Sequence, residues 1–152
     1  MDRRSAVMGL AMVATTSTGT ASAAPAQTKP QHRILNPHAA SAYCQAHEVS
    51  DFKRLLFISG QIPVDKDDKV PPDFKSQARQ VWANIGAQLK AAGMTLDDLV
   101  KITVFLSDRR YRKDNYEVRK EILGERAPAL TIIITGIYDE AWLLEIEAVA
   151  AA

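Results

Sequence analysis

The chain has 152 residues, and its 19 lysines and arginines nearly balance its 18 aspartates and glutamates, for a formal net charge of +1. That length suits one domain with its own core and is too short for two ordinary ones. With 24% charged and 47% hydrophobic residues, the composition excludes a disordered chain. The only cysteine, Cys44, excludes an internal disulfide framework and a cysteine-rich zinc site.

The first 23 residues have the pattern of a secretory signal peptide. Arg3 and Arg4 precede a short apolar run, and Ala21-Ser22-Ala23 has the form of a cleavage site. The run is far shorter than the roughly 20 residues that span a bilayer, and the arginine pair also suits twin-arginine export. An ordinary N-terminal extension is the alternative. We predict a periplasmic or secreted protein with a signal peptide at 1–23, a flexible lead at 24–32 and one folded domain at 33–152.

Removal of residues 1–23 leaves 17 basic and 17 acidic residues. A neutral mature protein gives no general reason to expect binding to nucleic acid or to a membrane. One basic cluster does occur, and it comprises Arg109, Arg110, Arg112 and Lys113. Its place at the start of a helix, where the dipole disfavours positive charge, would suit an anion or RNA patch. Because acidic residues lie among the cations, we predict a solvated face instead.

Five strands and two helices are predicted along the mature chain. Apolar runs between turn residues indicate strands, and apolar residues three and four apart indicate helices. The strands are predicted at 43–49, 55–59, 100–106, 129–135 and 142–150, and the helices at 73–92 and 108–123. The order β-β-α-β-α-β-β predicts an α+β fold, a mixed β-sheet with two helices on one face.

The two helices differ in how clearly they are marked. Asp73 suits the N-cap of the first helix, and Gly93 suits its C-terminal stop. The second helix has a mixed inward stripe, which consists of Tyr111, Asn115, Val118 and Ile122. The strand at 129–135 is apolar at nearly every position, as expected when both of its faces are covered. Since the helices cover one face, Ile132, Ile134 and their neighbours on the other face predict self-association.

Few residues have the spacing of a catalytic or metal site. The three histidines are scattered and no glycine-rich phosphate loop occurs, so neither a metal nor a cofactor is predicted. Cys44 lies on an apolar strand, which is more typical of a packed core residue than of a nucleophile. Glu145 and Glu147 share one face of the last strand. They therefore either face solvent or serve a pocket.

A series of short segments between residue 33 and the C-terminus carries the most specific signal. They are Ser59-Gly60-Gln61-Ile62-Pro63-Val64, Gln77-Ala78-Arg79-Gln80, Asn84, Ala91-Ala92-Gly93, Val100-Lys101-Ile102-Thr103-Val104-Phe105-Leu106, Asn115, Pro128-Ala129 and Glu145-Ile146-Glu147-Ala148. In this order and spacing they resemble the RidA (YjgF) family. The resemblance implies a homotrimer whose sheets form a central, chorismate-mutase-like barrel, with small-molecule pockets in the clefts between subunits.

The resemblance also implies hydrolysis of reactive imines and enamines to ketones and ammonia. In such sites an arginine binds the substrate carboxylate, while backbone groups and a glutamate position water and protons. Carried over by position, Glu145 is the catalytic acid, and the substrate-binding positions are Tyr43, Ser59, Gly60, Asn115, Leu130 and Thr131.

Two departures from the family pattern bear on this site. Ser41-Ala42 replaces Gly-Pro before Tyr43, and Leu130 stands where the family has its arginine. Arg126 is nearby along the chain, but four residues of strand move a head group by roughly 13 Å. Arg126 is therefore not expected to replace the missing arginine.

Three functions remain open. The first is a RidA-like hydrolase or deaminase that acts on a small imine or enamine lacking the usual carboxylate, with Glu145 handling protons and Leu130 as an apolar wall. The second is a non-catalytic small-molecule-binding trimer of the same fold. RNA cleavage is the third, and the neutral charge and the lack of interleaved stacking aromatics weigh against it.

Overall fold

The computed structural model describes residues 29–38 and 42–152. The predicted signal peptide lies outside the described residues. The strands are β1 (Gln31–His38), β2 (Tyr43–Ser50), β3 (Leu55–Gln61), β4 (Leu99–Leu106), β5 (Ala129–Ile134) and β6 (Leu144–Ala151), and the helices are α1 (Phe74–Ala91) and α2 (Arg112–Leu123). No described helix is long and apolar enough to cross a membrane.

The six strands form one mixed sheet in the order β1-β2-β5-β4-β6-β3. The pairs β2–β5 and β4–β5 are parallel, and the others are antiparallel. The predicted α+β fold with a mixed sheet and two helices is therefore confirmed. Strand β1 was not predicted, and it begins at Gln31, within the stretch assigned to the flexible lead. Its Pro37 and its positive-φ Asn36 break the alternation of a strand, which is tolerated because β1 is an edge strand.

Helix α1 begins and ends where its capping residues predict. The Asp73 carboxylate accepts a hydrogen bond from the Ser76 N–H at 3.1 Å, which satisfies one of the free donors of the first turn. At the other end Gly93 has φ +68°, and the Met94 N–H donates to the Leu89 carbonyl at 2.8 Å. This six-to-one bond belongs to a Schellman motif, which favours glycine because of the left-handed backbone.

Helix α2 presents a different stripe to the core from the predicted one. Asn115 and Val118 are buried as predicted, but Ile122 is only half-buried, and Arg119 and Leu123 are buried. A short 3-10 turn at Arg109–Tyr111 precedes the helix. The α-helical repeat therefore starts at Arg112, so its inward face includes the 115/119/123 row.

The sheet face opposite the helices carries other apolar residues than those predicted. Ile132 pairs with Val104 and Ile134 with Leu106, and both partners are buried under the helices. Directly paired residues point to the same face, so the assignment of Ile132 and Ile134 to the opposite face is wrong. The opposite face carries Ile133 instead, with Phe57, which is 74% exposed.

Candidate functional site

Glu145 lies against a glycine on the neighbouring strand. Between the pairs Ile58–Ala148 and Gln61–Ile146, strand β3 has one residue more than β6, which is the pattern of a β-bulge. Gly60 lies in this bulge, and a Cβ added there would lie 1.6 Å from Glu145 Oε1. The carboxylate therefore occupies the space that any other residue at this position would fill. Glycine is required here by the close approach and not by its dihedral angles.

Ser59 and Thr131 lie on the same sheet face as Glu145. Ser59 lines a cleft of about 280 Å³ on this face together with Thr103. Thr103 pairs with Thr131, whose hydroxyl accepts a hydrogen bond from Lys101 Nζ at 3.0 Å. We refer to Ser59, Gly60 and Glu145 as the acid wall. A half-buried carboxylate beside backbone groups is suited to positioning water and to exchanging protons.

Tyr43 and Leu130 line a second and larger cleft, of about 740 Å³. Its other lining residues are Arg109, Arg110, Arg112, Lys113, Tyr116, Arg119 and Ile132. We refer to this space as the cationic cleft and to its exposed cations Arg109, Arg110, Arg112 and Lys113 as the basic rim. The rim residues are exposed, as predicted for a solvated face, but they also border a cavity, which the sequence did not indicate.

Arg119 is the functional candidate that the sequence reasoning missed. Its side chain is in the cationic cleft although the residue is only 3% exposed, and its guanidinium carbon lies 5.9 Å from the centre of the Tyr116 ring. Burial lowers the pKa of Arg119, whereas Tyr116 and Tyr43 act in the opposite direction. An arginine side chain stays protonated in proteins at neutral pH. The cleft therefore contains a buried positive charge next to the apolar Leu130.

Asn115 and Arg126, which were also considered from the sequence, lie outside the acid wall and the cationic cleft. Asn115 is buried on α2, and its Nδ2 has no hydrogen-bond partner among the described residues. Arg126 pairs with Asp97, Nε to Oδ1, at 2.6 Å and also donates from Nη1 to the Leu123 carbonyl at 3.3 Å. It borders a pocket with His32 and His47 instead of the cationic cleft. The expectation that Arg126 does not replace the family arginine agrees with this position.

Within one chain the predicted site residues are thus divided between two places. Ser59, Gly60, Thr131 and Glu145 lie on the sheet face away from the helices, and Tyr43 and Leu130 lie in the cationic cleft. The fold and site define a class of protein, an α+β mixed-sheet domain with a carboxylate beside a strand bulge and a separate cleft lined by arginine side chains.

Comparisons with known proteins show the family to which this chain is similar. The sequence model of the family described as Endoribonuclease L-PSP matches residues 33–152. A RutC family protein of Pyrococcus horikoshii is 40% identical over 116 residues, which are 75% of this chain and 90% of the relative. Escherichia coli TdcF, named as a reactive intermediate deaminase, is 34% identical over 104 residues, which are 66% of this chain and 81% of TdcF.

Solved structures agree with these matches. RidA of an Antarctic Psychrobacter has a TM-score of 0.63 and 33% identity, over 76% of this chain and 93% of that protein. The crystal structure of E. coli TdcF with bound serine has a TM-score of 0.62 and 30% identity, over 79% of this chain and 98% of TdcF. The chain belongs to the RidA (YjgF) family.

Proposed function

We propose that this protein is a hydrolytic deaminase of a small imine or enamine, other than the simplest 2-imino acids. The observation that carries the proposal is the Glu145 carboxylate in the space beside Gly60. Water attacks the imine carbon and a C–O bond forms, while Glu145 takes one proton from that water and passes it to the imine nitrogen, which gives a carbinolamine. Glu145 then takes the hydroxyl proton of the carbinolamine and delivers it to the nitrogen as the carbon–nitrogen bond breaks. The products are one ketone and one ammonia.

The assembly in the proposal is a homotrimer with the pocket between subunits. Phe57 and Ile133 support this, because they place apolar surface on the face that the helices do not cover. In a trimer the acid wall of one subunit and the cationic cleft of its neighbour would form the two sides of one pocket, which joins the site residues that a single chain keeps apart. Light scattering at micromolar concentration should give three times the chain mass, and a stable monomer would contradict the assembly.

Imines generated in situ by an amino-acid oxidase provide the assay. Their lifetime is measured by trapping with semicarbazide, and a hydrolase shortens it. We expect Glu145→Gln to lower this rate by about 100- to 10,000-fold, the usual contribution of a general acid–base group. Glu48→Gln, which removes an exposed carboxylate paired with Arg33 on the hairpin, is the control. If Glu147→Gln abolished activity and Glu145→Gln did not, the proton role would belong to Glu147.

A non-catalytic small-molecule-binding trimer is the second candidate. Leu130 favours it, because the position offers no donor to a substrate carboxylate. Binding of a metabolite without any acceleration of imine hydrolysis would establish this function in place of the first.

Export is a separate part of the proposal. The arginine pair, the apolar run and the Ala21-Ser22-Ala23 segment support a signal peptide at 1–23. Mass spectrometry of the protein recovered from the periplasm should give a chain that begins at Ala24. An intact Met1 terminus on a cytoplasmic protein would contradict export and would leave the proposed chemistry unaffected.

A further inference from the structure

We infer that Arg119 binds one anionic group of the ligand and that the basic rim selects a ligand with a second one, so that the pocket takes small dicarboxylate-like compounds. The inference rests on the proposed function for the place of the pocket, and it adds the chemical class of the ligand. Neither the family position of the missing arginine nor the sequence pattern assigns a role to Arg119.

Arg119 contributes a guanidinium group to the lining of the cationic cleft. A guanidinium is planar and presents paired donors that match a carboxylate. Arg119 lines the cleft from α2, together with Leu130 and Ile132, whose side chains are apolar. A charge pair formed next to apolar walls is weakened less by water than one formed on an open surface. The cleft therefore keeps a carboxylate-binding group, although that group comes from the helix and not from β5.

The basic rim around Arg119 is only partly neutralised by neighbouring carboxylates. Arg110 pairs with Asp108 at 3.6 Å and Lys113 pairs with Glu117 at 3.8 Å, and Glu117 has a shorter contact with Lys75, at 2.6 Å. Within the described part of the chain, Arg109 and Arg112 form no ion pair. Positive charge thus remains in excess at the mouth of the cleft, at the start of a helix whose dipole disfavours it.

The excess positive charge should favour a ligand with two carboxylates over a ligand with one. A monocarboxylate bound to Arg119 leaves the rim uncompensated, whereas a second carboxylate on the same small molecule compensates it. The rim is exposed and therefore screened by salt, so its contribution should fall with ionic strength, whereas the contribution of the buried Arg119 should change less. The preference for two negative groups should accordingly be largest at low salt.

RNA is the competing occupant, since a row of exposed arginines also suits a phosphate backbone. The burial of Arg119 argues against it. A polymer lying along the rim would contact Arg109 and Arg112 without reaching a residue that is 3% exposed. A small ligand that enters the cleft can contact both. Dependence of binding on Arg119 therefore separates the two occupants.

Calorimetric titration of the mature, full-length protein tests the inference with 2-oxoglutarate, pyruvate and a short single-stranded RNA as probes. We expect 2-oxoglutarate to bind at least about 10-fold more tightly than pyruvate, because a charge-assisted hydrogen bond corresponds to about 10- to 100-fold in affinity. Arg119→Met should weaken both 2-oxoacids by that factor. The double variant Arg109→Gln/Arg112→Gln should remove the preference for 2-oxoglutarate and leave pyruvate binding nearly unchanged. Arg126→Gln, an arginine outside the cleft, is the matched control.

The outcomes of these titrations test the inference separately from the proposed deaminase. Arg119→Lys keeps the charge if Arg119→Met does not fold, and it should retain part of the binding while losing the paired-donor geometry. Equal affinity for pyruvate and 2-oxoglutarate, or RNA binding that depends on the rim alone, would overturn the inference. Tight binding of 2-oxoglutarate through Arg119 without imine hydrolysis would support it and count against the deaminase. Hydrolysis of a dicarboxylate imine at an equal rate in wild type and Arg119→Met would overturn it and leave the deaminase in place.

Discussion

The acid wall and the cationic cleft have different relations to the family pattern. The acid wall is carried by two strands, and the resemblance to the family assigns its Ser59, Gly60 and Glu145 to family site positions. The cationic cleft has Leu130 at the arginine position, and its buried cation, Arg119, comes from a helix. Under the proposed function, the group that handles protons lies on the strands, as in the family, whereas the cation that binds the ligand comes from α2 instead of β5. This arrangement would combine the family reaction with a different ligand.

The largest effect is expected from a change in the acid wall. Gly60→Ala places a methyl group 1.6 Å from Glu145 Oε1, so the carboxylate must leave its position. We expect imine hydrolysis to fall by about 100-fold or more, as for loss of the acid–base group, and stability to fall by about 1–3 kcal/mol from overpacking. Gly86→Ala is the control, because its added Cβ meets no atom within 4 Å and should stabilise α1 by about 0.5–1 kcal/mol. Full activity in Gly60→Ala would remove the acid wall from the mechanism.

If the protein forms the proposed trimer, mixed assemblies test whether the two sides of the site come from different subunits. Assayed at a substrate concentration below KM, Glu145→Gln and Arg119→Met assemblies should each have little activity. After unfolding and refolding together in equal amounts, about a quarter of the interfaces should combine an intact acid wall with an intact cationic cleft, if subunits assort at random. Recovered activity near a quarter of the wild-type rate is expected. If both sides of each pocket came from one subunit, mixing would restore nothing.

The sequence predicted more of the acid wall than of the cationic cleft. Strand alternation placed Glu145 and Glu147 on one face without deciding between solvent and a pocket, and capping residues placed the ends of α1, because these features depend on neighbours in the chain. The role of Glu145 came from the resemblance to the family. The burial of Arg119 in the cleft could not be predicted from neighbouring residues. It depends on where α2 starts after its 3-10 turn and on how the helix packs against β5. Strand β1 was missed because its pairing with β2 comes from tertiary structure, and its own sequence contains Pro37.

Leu130→Arg restores the family arginine in the cleft that Arg119 also lines. Two guanidinium groups in one cleft repel, and one of them leaves water, so we expect the unliganded variant to lose about 1–3 kcal/mol of stability. A bound 2-oxoacid should recover part of this loss. In the double variant Leu130→Arg/Arg119→Met the repulsion is absent, and the affinity for pyruvate should rise by about 10-fold over Arg119→Met alone. Thermal melting with and without pyruvate provides the measurement.

A smaller effect is expected in the β1–β2 hairpin, whose pairing with β5 comprises, among the described residues, the pair Cys44–Ala129. His32 Nδ1 and His47 Nε2 lie 3.0 Å apart across this hairpin. Burial, with a smaller contribution from His32, holds the pKa of His47 below its ordinary value. The folded state therefore binds fewer protons at His47 than the unfolded state does, and stability falls as the pH decreases from the ordinary histidine range through the lowered folded pKa.

We expect His47→Gln to reduce the acid-induced loss of stability between about pH 7 and pH 5, by less than about 1 kcal/mol because the ring is partly exposed to solvent. Urea unfolding of wild type and variant at several pH values measures the difference. His38→Gln is the matched control, since that histidine lies on the same hairpin but stacks on Tyr43 at 5.3 Å and does not contact the His32–His47 pair. Because the hairpin includes Tyr43, which lines the cationic cleft, acid conditions should weaken ligand binding before they affect the acid wall. Parallel pH profiles for wild type and His47→Gln would show that the histidine pair does not couple the hairpin to pH.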